Sequence, residues 1–337
     1  MKKKVFYVMA LCMGLFSSCD KEDIVFEEPI VPPIEEPEKP SIMPSTDDLI
    51  RVKIDDDIMA IVGSNTYWYG ITYGNGKYVV VGESGYTTTS TDGVNWTTPK
   101  QISTNGINVW TDVVHGNGKY VVVGSGGYIS TSIDGINWTT PQKMRDNIQL
   151  AYIIYNDGKY IAIGFDVISL SEWKTIVITS TDGINWTTPI YAMNVTPGGI
   201  TYGNGKYVIA GNSGYTTTST DCISWTEPAN SGLHSNVAIT YGNGKYVVAG
   251  YMWSISTSTD GINWTTPIQL KDNETGAIIY NSWRRIIYIN NQFVVFGDGG
   301  YVSTSTDGIN WTTPIRLKDE NGSTISNNIF GVCAIFN

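Results

Sequence analysis

Tyr86-Thr87-Thr88-Thr89-Ser90-Thr91-Asp92-Gly93-Val94-Asn95-Trp96 is the stretch that decides how this chain is read. Its Ser-x-Asp-Gly-x-x-Trp ending comes five times, and a sixth time with Cys222 in the place of the Gly. Asp92, Asp134, Asp182, Asp221, Asp260 and Asp307 stand four residues before Trp96, Trp138, Trp186, Trp225, Trp264 and Trp311. Successive aspartates are 42, 48, 39, 39 and 47 residues apart. A period near 40 in a Thr-, Val- and Tyr-rich chain predicts one strand-built unit repeated in a stack or a ring.

Working outward, Ile71–Gly82 (Ile-Thr-Tyr-Gly-Asn-Gly-Lys-Tyr-Val-Val-Val-Gly) precedes the box and recurs ahead of the others. Asn-Gly between β-branched and aromatic runs signals a hairpin, because both residues tolerate positive φ. The unit is therefore predicted as Trp68 to Tyr73, Lys77 to Val81, Tyr86 to Ser90 and, after the Asp-Gly turn, Asn95 to Pro99. Pro99, Pro141, Pro189, Pro267 and Pro314 suit an outer edge, where a missing N–H donor is tolerated. Four short antiparallel strands in about 40 residues make one propeller blade.

The fold class is all-β: a β-propeller of four-stranded antiparallel blades. Asn328 to Phe336 reads as a seventh inner strand. Ser45-Thr46-Asp47-Asp48 reads as a worn box, with Leu49–Ile54 or Ile58–Val62 as an outer strand. Seven blades, closed by pairing the N- and C-terminal strands, leave no open edge; six is the alternative.

The boxes resemble the Asp-box, or BNR repeat, of the sialidase-like propellers, across residues 68 to 314. That pattern has a residue between Asp and Gly, whereas Asp92-Gly93 and its counterparts are adjacent here. In physical terms the box is a structural turn: Asp accepts from turn donors, Gly supplies φ > 0, and Trp covers the turn.

The first 18 residues read as a lipoprotein signal peptide, with Lys2-Lys3-Lys4 and then an apolar run from Val5 to Phe16 that is too short to span a bilayer. Ser17-Ser18-Cys19 resembles a bacterial lipobox, and the resemblance implies lipidation at Cys19. Asp20-Lys21-Glu22-Asp23 looks like the export signal of Bacteroidetes surface lipoproteins, which implies an outer-membrane lipoprotein facing the exterior. Residues 19–44 are an acidic, Pro-rich tether, and 45–337 form the propeller.

From Cys19 onward the chain carries 31 acidic and 18 basic residues, and residues 19–57 alone hold 13 acidic and 4 basic. The repeat region is therefore nearly balanced and offers no basic stripe, which argues against nucleic acid. Cys222 and Cys333 read as unpaired. His115 and His234 stand apart from any ligand-spaced cluster, so no metal and no cofactor is expected.

Antiparallel strands put the Gly-Asn-Gly turns and the boxes on one face, and the variable turns and crossovers on the other. Variable loops on a rigid scaffold carry binding. Trp68, Trp110, Trp173, Trp253 and Trp283 fall there, accompanied by Tyr69, Tyr152, Tyr251 and Phe330. Their rings suit stacking on sugar, or else Trp68, Trp110 and Trp283 pack at the start of the first strand. Phe165–Ile176 and Leu270–Arg285, the latter with Asp272, Glu274 and Arg284, are the excursions expected to set specificity.

The expected function is a surface-tethered, monomeric, non-catalytic protein binding glycan or glycoprotein; a sialidase-like hydrolase or a protein-docking scaffold is the alternative. The sialidase resemblance implies three arginines, a Tyr nucleophile and an Arg-Ile-Pro signature. This chain has only Arg51, Arg145, Arg284, Arg285 and Arg316, and no Arg-Ile-Pro, so no catalytic set carries over.

Overall fold

Alternating β-branched and aromatic residues build the inner strands Trp68–Gly74, Trp110–Gly116, Ile148–Asn156, Pro197–Gly203, Asn236–Gly242 and Trp283–Ile289. In this computed structural model, residues 43–54, 58–64, 67–103, 109–169, 171–271, 282–319 and 321–335 are described. Among them each inner strand opens a sheet of four antiparallel strands, and a seventh sheet has three. Inner strands of successive sheets touch in chain order, and the strand Ile329–Ile335 of the seventh touches both the sixth and the first. The fold is a seven-bladed β-propeller.

The closing blade joins the two ends of the chain, with Ile329–Ile335 inside, Met59–Ser64 next and Leu49–Lys53 third. Its outer edge carries a single bridge, Val52 to Asp319. The Ser45–Asp48 turn is box-like only in part. Ser45 Oγ accepts from Asp47 N at 3.1 Å, but the turn precedes the third strand, whereas a true box follows it, so the two lie at opposite ends of the blade.

Each hairpin turns where the Asn-Gly signal places it, with Asn75 at φ 44° and Gly76 at φ 74° in the first blade. The fourth strand differs from the expectation. It is Lys100–Gln101, after Pro99. Thr97 has already closed the box onto Thr89, through Thr97 N to Thr89 O at 2.9 Å and Thr89 N to Thr97 Oγ1 at 3.0 Å. Pairing with Tyr86 and Thr87 resumes only beyond the proline, which has no N–H to give.

Seven apolar clusters form the core, each shared by two neighbouring blades. The boxes rivet these seams. A Cβ on Gly93 would lie 2.5 Å from Ile61 Cδ1 in the closing blade, and one on Gly135 would lie 2.6 Å from Val79 Cγ2 in the first. Glycine is thus required there both by positive φ and by close approach. Cys222 takes that place in the fourth blade at φ 63°, buried and unpaired; its thiol is pushed up to about 12 by burial.

Within a box the hydrogen bonding is complete. Ser90 Oγ donates to Asp92 Oδ1 at 2.9 Å and accepts from Gly93 N at 2.8 Å. Asp92 Oδ1 accepts from Val94 N and Asn95 N, and Oδ2 from Asn95 Nδ2, all at 2.8 Å. Donation from Asn95 and Val94 holds the Asp92 carboxyl well below the usual carboxylate range. With Oδ1 engaged by three donors and Oδ2 by one, this carboxylate is a turn element.

Candidate functional site

The crossover face, opposite the boxes, starts from a correction. Trp68, Trp110, Trp253 and Trp283 are each 0% exposed, so none of them presents a ring to a ligand. Trp68 donates its indole N–H to Ser45 O at 2.8 Å, fixing the chain where it enters the closing blade. Trp283 stacks on Trp253 with centroids 5.3 Å apart, and Tyr301 meets Trp253 edge-on at 4.8 Å. Trp253 occupies the position that Gly85 holds in the first blade, at φ 52°. That conformation costs a non-Gly residue roughly 1–2 kcal/mol, offset here by the buried stack. Among these tryptophans only Trp173 is exposed, at 43%.

The companion residues are the ones that converge. At the second position of the inner strands, Tyr69, Arg284 and Phe330 come together across the first, sixth and closing blades. Arg284 grips Asp298 through Nε–Oδ1 at 2.7 Å and Nη2–Oδ2 at 3.1 Å, and its guanidinium lies 5.6 Å from the Phe330 ring. Phe330 meets Tyr69 edge-on at 5.8 Å, and Tyr69 donates to Glu83 Oε1 at 3.0 Å. Burial and then the Glu83 carboxylate raise the Tyr69 phenol, which stays neutral.

One position further along, the inner strands carry Gly70, Asp112, Tyr152, Gly199, Ala238, Arg285 and Gly331. Four are tiny, so the other three reach into the space on the axis. Arg285 reaches across it, donating to Tyr69 O at 3.3 Å and lying 5.7 Å from the Tyr152 ring. Asp112 accepts from Val113 N at 2.9 Å and Ile153 N at 3.0 Å. A cavity of about 140 Å³ lies among Asp112, Tyr152, Arg285 and the small residues. Burial pushes the Asp112 carboxyl up to about 6 against its two backbone donors and Arg285, so it titrates near neutrality.

The Phe165–Ile176 excursion is an elongated hairpin, Lys159–Ser169 with Glu172–Ser180. It projects from the same face with Ile168, Trp173 and Tyr191 exposed. Its base is fixed by the buried Asp166, which receives Arg145 and the Tyr191 hydroxyl, the latter at 2.7 Å. Asp272 and Glu274 lie outside the described residues, as do Cys19 and residues 1–42.

The arginines do not gather as a sialidase site would require. Arg51 is on the third strand of the closing blade, Arg316 packs on Tyr301 at the rim, and Arg145 belongs to Asp166. Asp112 was missed in the sequence, yet the signal was present: its column is otherwise mostly Gly or Ala.

No protein-family model matches the chain, and no curated protein matches it in sequence. Among solved structures it is similar to YCF48 bound to D1 peptide, with a TM-score of 0.60 at 13% identity, covering 87% of this chain and 99% of that one. The WD40 β-propeller domain of Doa1 gives 0.57 at 12% identity, covering 86% and 96%. YCF48 from Cyanidioschyzon merolae gives 0.54 at 14%, covering 82% and 90%. At these identities the likeness establishes the propeller fold.

Proposed function

We propose that this propeller is a non-catalytic binding module that holds an extended segment of a partner protein across its crossover face. The observation that carries this is the grouping, at one end of the inner strands of five blades, of Arg284, Tyr69 and Phe330 beside Arg285, Tyr152 and Asp112, the last three lining the axial space. Arg and Tyr dominate protein-recognition hot spots. The space among them, about 140 Å³, admits one side chain or chain end; a pocket for a whole small substrate runs to about 300 Å³ or more. Arg285, bonded to main-chain carbonyls, gives that space a preference for an acidic or amide group. The exposed hairpin at Trp173 extends the surface for the rest of the segment.

A peptide on YCF48 is an analogy at the level of fold. Of the aromatic residues singled out for glycan stacking on this face, Trp173 and Tyr251 are exposed. A hydrolase reading finds one carboxylate, Asp112, lining the axial cavity, where glycoside hydrolysis uses a pair.

The test is selection of a random peptide library on the wild-type protein and on an Arg284→Ala/Arg285→Ala variant. Acidic and aromatic peptides enriched on the wild type and lost on the variant support the reading; equal enrichment on both sinks it. The tether belongs to the same proposal. Cys19→Ala should move the protein from the membrane fraction to the soluble one and abolish incorporation of a labelled fatty acid. Light scattering of the soluble form should give a monomer mass.

A further inference from the structure

The channel has a second mouth, on the face of the boxes, and its chemistry is different. At the sixth position of the inner strands stand Tyr73, His115, Tyr155, Tyr202, Tyr241 and Tyr288, one for each complete blade. Each ring packs beside a partner on the second strand at 4.6–4.8 Å, Tyr73 on Tyr78 for example. Each of four rests on a glycine of the preceding blade: His115 on Gly74, Tyr155 on Gly116, Tyr241 on Gly203 and Tyr288 on Gly242, where an added Cβ would come within 2.3 Å of the ring. The collar is thus rigidly seated. It is also partly open, since Tyr73 is 43% and Tyr202 38% exposed and the other four are half-buried.

Two residues beyond each ring lies a turn tip. Asn75, Asn117, Asn204 and Asn243 stand there, all exposed and held at φ 44–45°. Three of the lysines that follow are directed away. Lys77, Lys119 and Lys245 donate to the box carbonyls of Asp134, Asp182 and Asp307 in the next blade at 3.3, 3.1 and 2.8 Å. At this end of the inner strands stand aromatic rings, phenol hydroxyls and the carboxamides of Asn75, Asn117 and Asn204, with Asp157 and the exposed Lys159 at the third blade, while Asn243 donates to Thr306 O of the next blade at 3.2 Å.

We propose that this mouth is a distinct binding site for the neutral end of a glycan chain. Aromatic faces take the C–H face of a pyranose, while phenols and carboxamides exchange hydrogen bonds with its hydroxyls. The multiplicity that makes the boxes construction elements does not apply, because the boxes are spread around the rim whereas the six rings stand on the inner strands, which pack side by side in a closed circle.

The test is titration of the full chain with cellohexaose, maltohexaose and mannohexaose, followed by calorimetry and saturation-transfer NMR. Saturable one-to-one binding of at least one, with transfer from tyrosine ring protons, is expected. Tyr73→Ala/Tyr202→Ala should weaken it by roughly tenfold or more, and Tyr73→Phe/Tyr202→Phe by less. Arg284→Ala/Arg285→Ala, which tests the other mouth, should leave it unchanged. Circular dichroism and a melting temperature within a few degrees of the wild type confirm that the alanine variant is folded, because Tyr73 and Tyr202 are the most exposed rings. Binding of none of the three, binding undiminished in the folded double variant, or collar resonances shifted only by a hexalysine peptide overturns the assignment.

Discussion

The two mouths of one channel are built from opposite ends of the same seven strands, and they have become different surfaces. At the box end six of the seven inner strands finish with an aromatic ring one residue before the strand end, Tyr-Gly in three of them, and the result is a repeated collar. At the crossover end they begin differently, with Tyr69, Thr111, Ala151, Gly198, Val237, Arg284 and Phe330 in register, and the result is charged and one-sided. The difference teaches that repetition near the axis and repetition at the rim mean different things. Around the axis, copies add up to one site; at the rim they remain separate turns.

The largest expected effect tests whether the crossover end is a packed floor or a ligand platform. Trp283→Ala should lower unfolding free energy by about 3–5 kcal/mol, the usual cost of emptying a buried aromatic site, read as a lower urea midpoint. A binding defect with stability intact would overturn the packing assignment. Next, Asp134→Ala at the rim should cost about 1–2 kcal/mol, comparable with loss of a helix cap, and leave both mouths unaffected in binding. The Asp134 carboxyl is held below its ordinary value, chiefly by donation from Asn137. Its stabilisation is therefore present above the unfolded value of 3.8 and lost as pH falls through the acid range.

Asp112 sharpens the comparison with the opposite sign. Its folded carboxyl is raised to about 6 from 3.8, so the folded state holds the proton more tightly than the unfolded one. Stability from this group should decline as pH rises from about 4 to about 6 and then level off. Asp112→Asn should flatten that segment of a plot of denaturation midpoint against pH, while the acid limb set by the boxes persists. The smallest effect belongs to the collar: Tyr202→Ala should change stability by less than about 1 kcal/mol, whereas its buried neighbour Tyr207→Ala should cost several times more in the same denaturation series.

Much of the architecture was legible. The Asn-Gly turns, the six boxes and the C-terminal Ile329–Ile335 strand led directly to seven blades, because positive φ and strand alternation are local requirements that a sequence states openly. The fourth strand was misplaced by several residues because Thr97 bonds back to Thr89, a choice between two neighbouring partners that propensity does not rank. The site was half legible. Arg284, Tyr69, Tyr152 and Phe330 were placed on the crossover face, and for Trp68, Trp110 and Trp283 the packing alternative is the one the structure has, whereas Trp253, expected at the surface, is buried. A tryptophan at a loop junction reads the same whether it faces water or the next blade. Trp253 is the clearest case, standing in a glycine's backbone conformation that only its stack with Trp283 and Tyr301 sustains.

By itself the sequence determined the repeat, the hairpin turns and the boxes, since each depends on residues within one blade length. Tertiary structure alone decided which aromatic rings are buried in the seams between blades and which stand on the axis. It also decided that Asp112 and Arg285, 173 residues apart, share one cavity. Those facts depend on how neighbouring blades pack and on the circular order that brings distant repeats to a common centre, and neither is written in any single repeat.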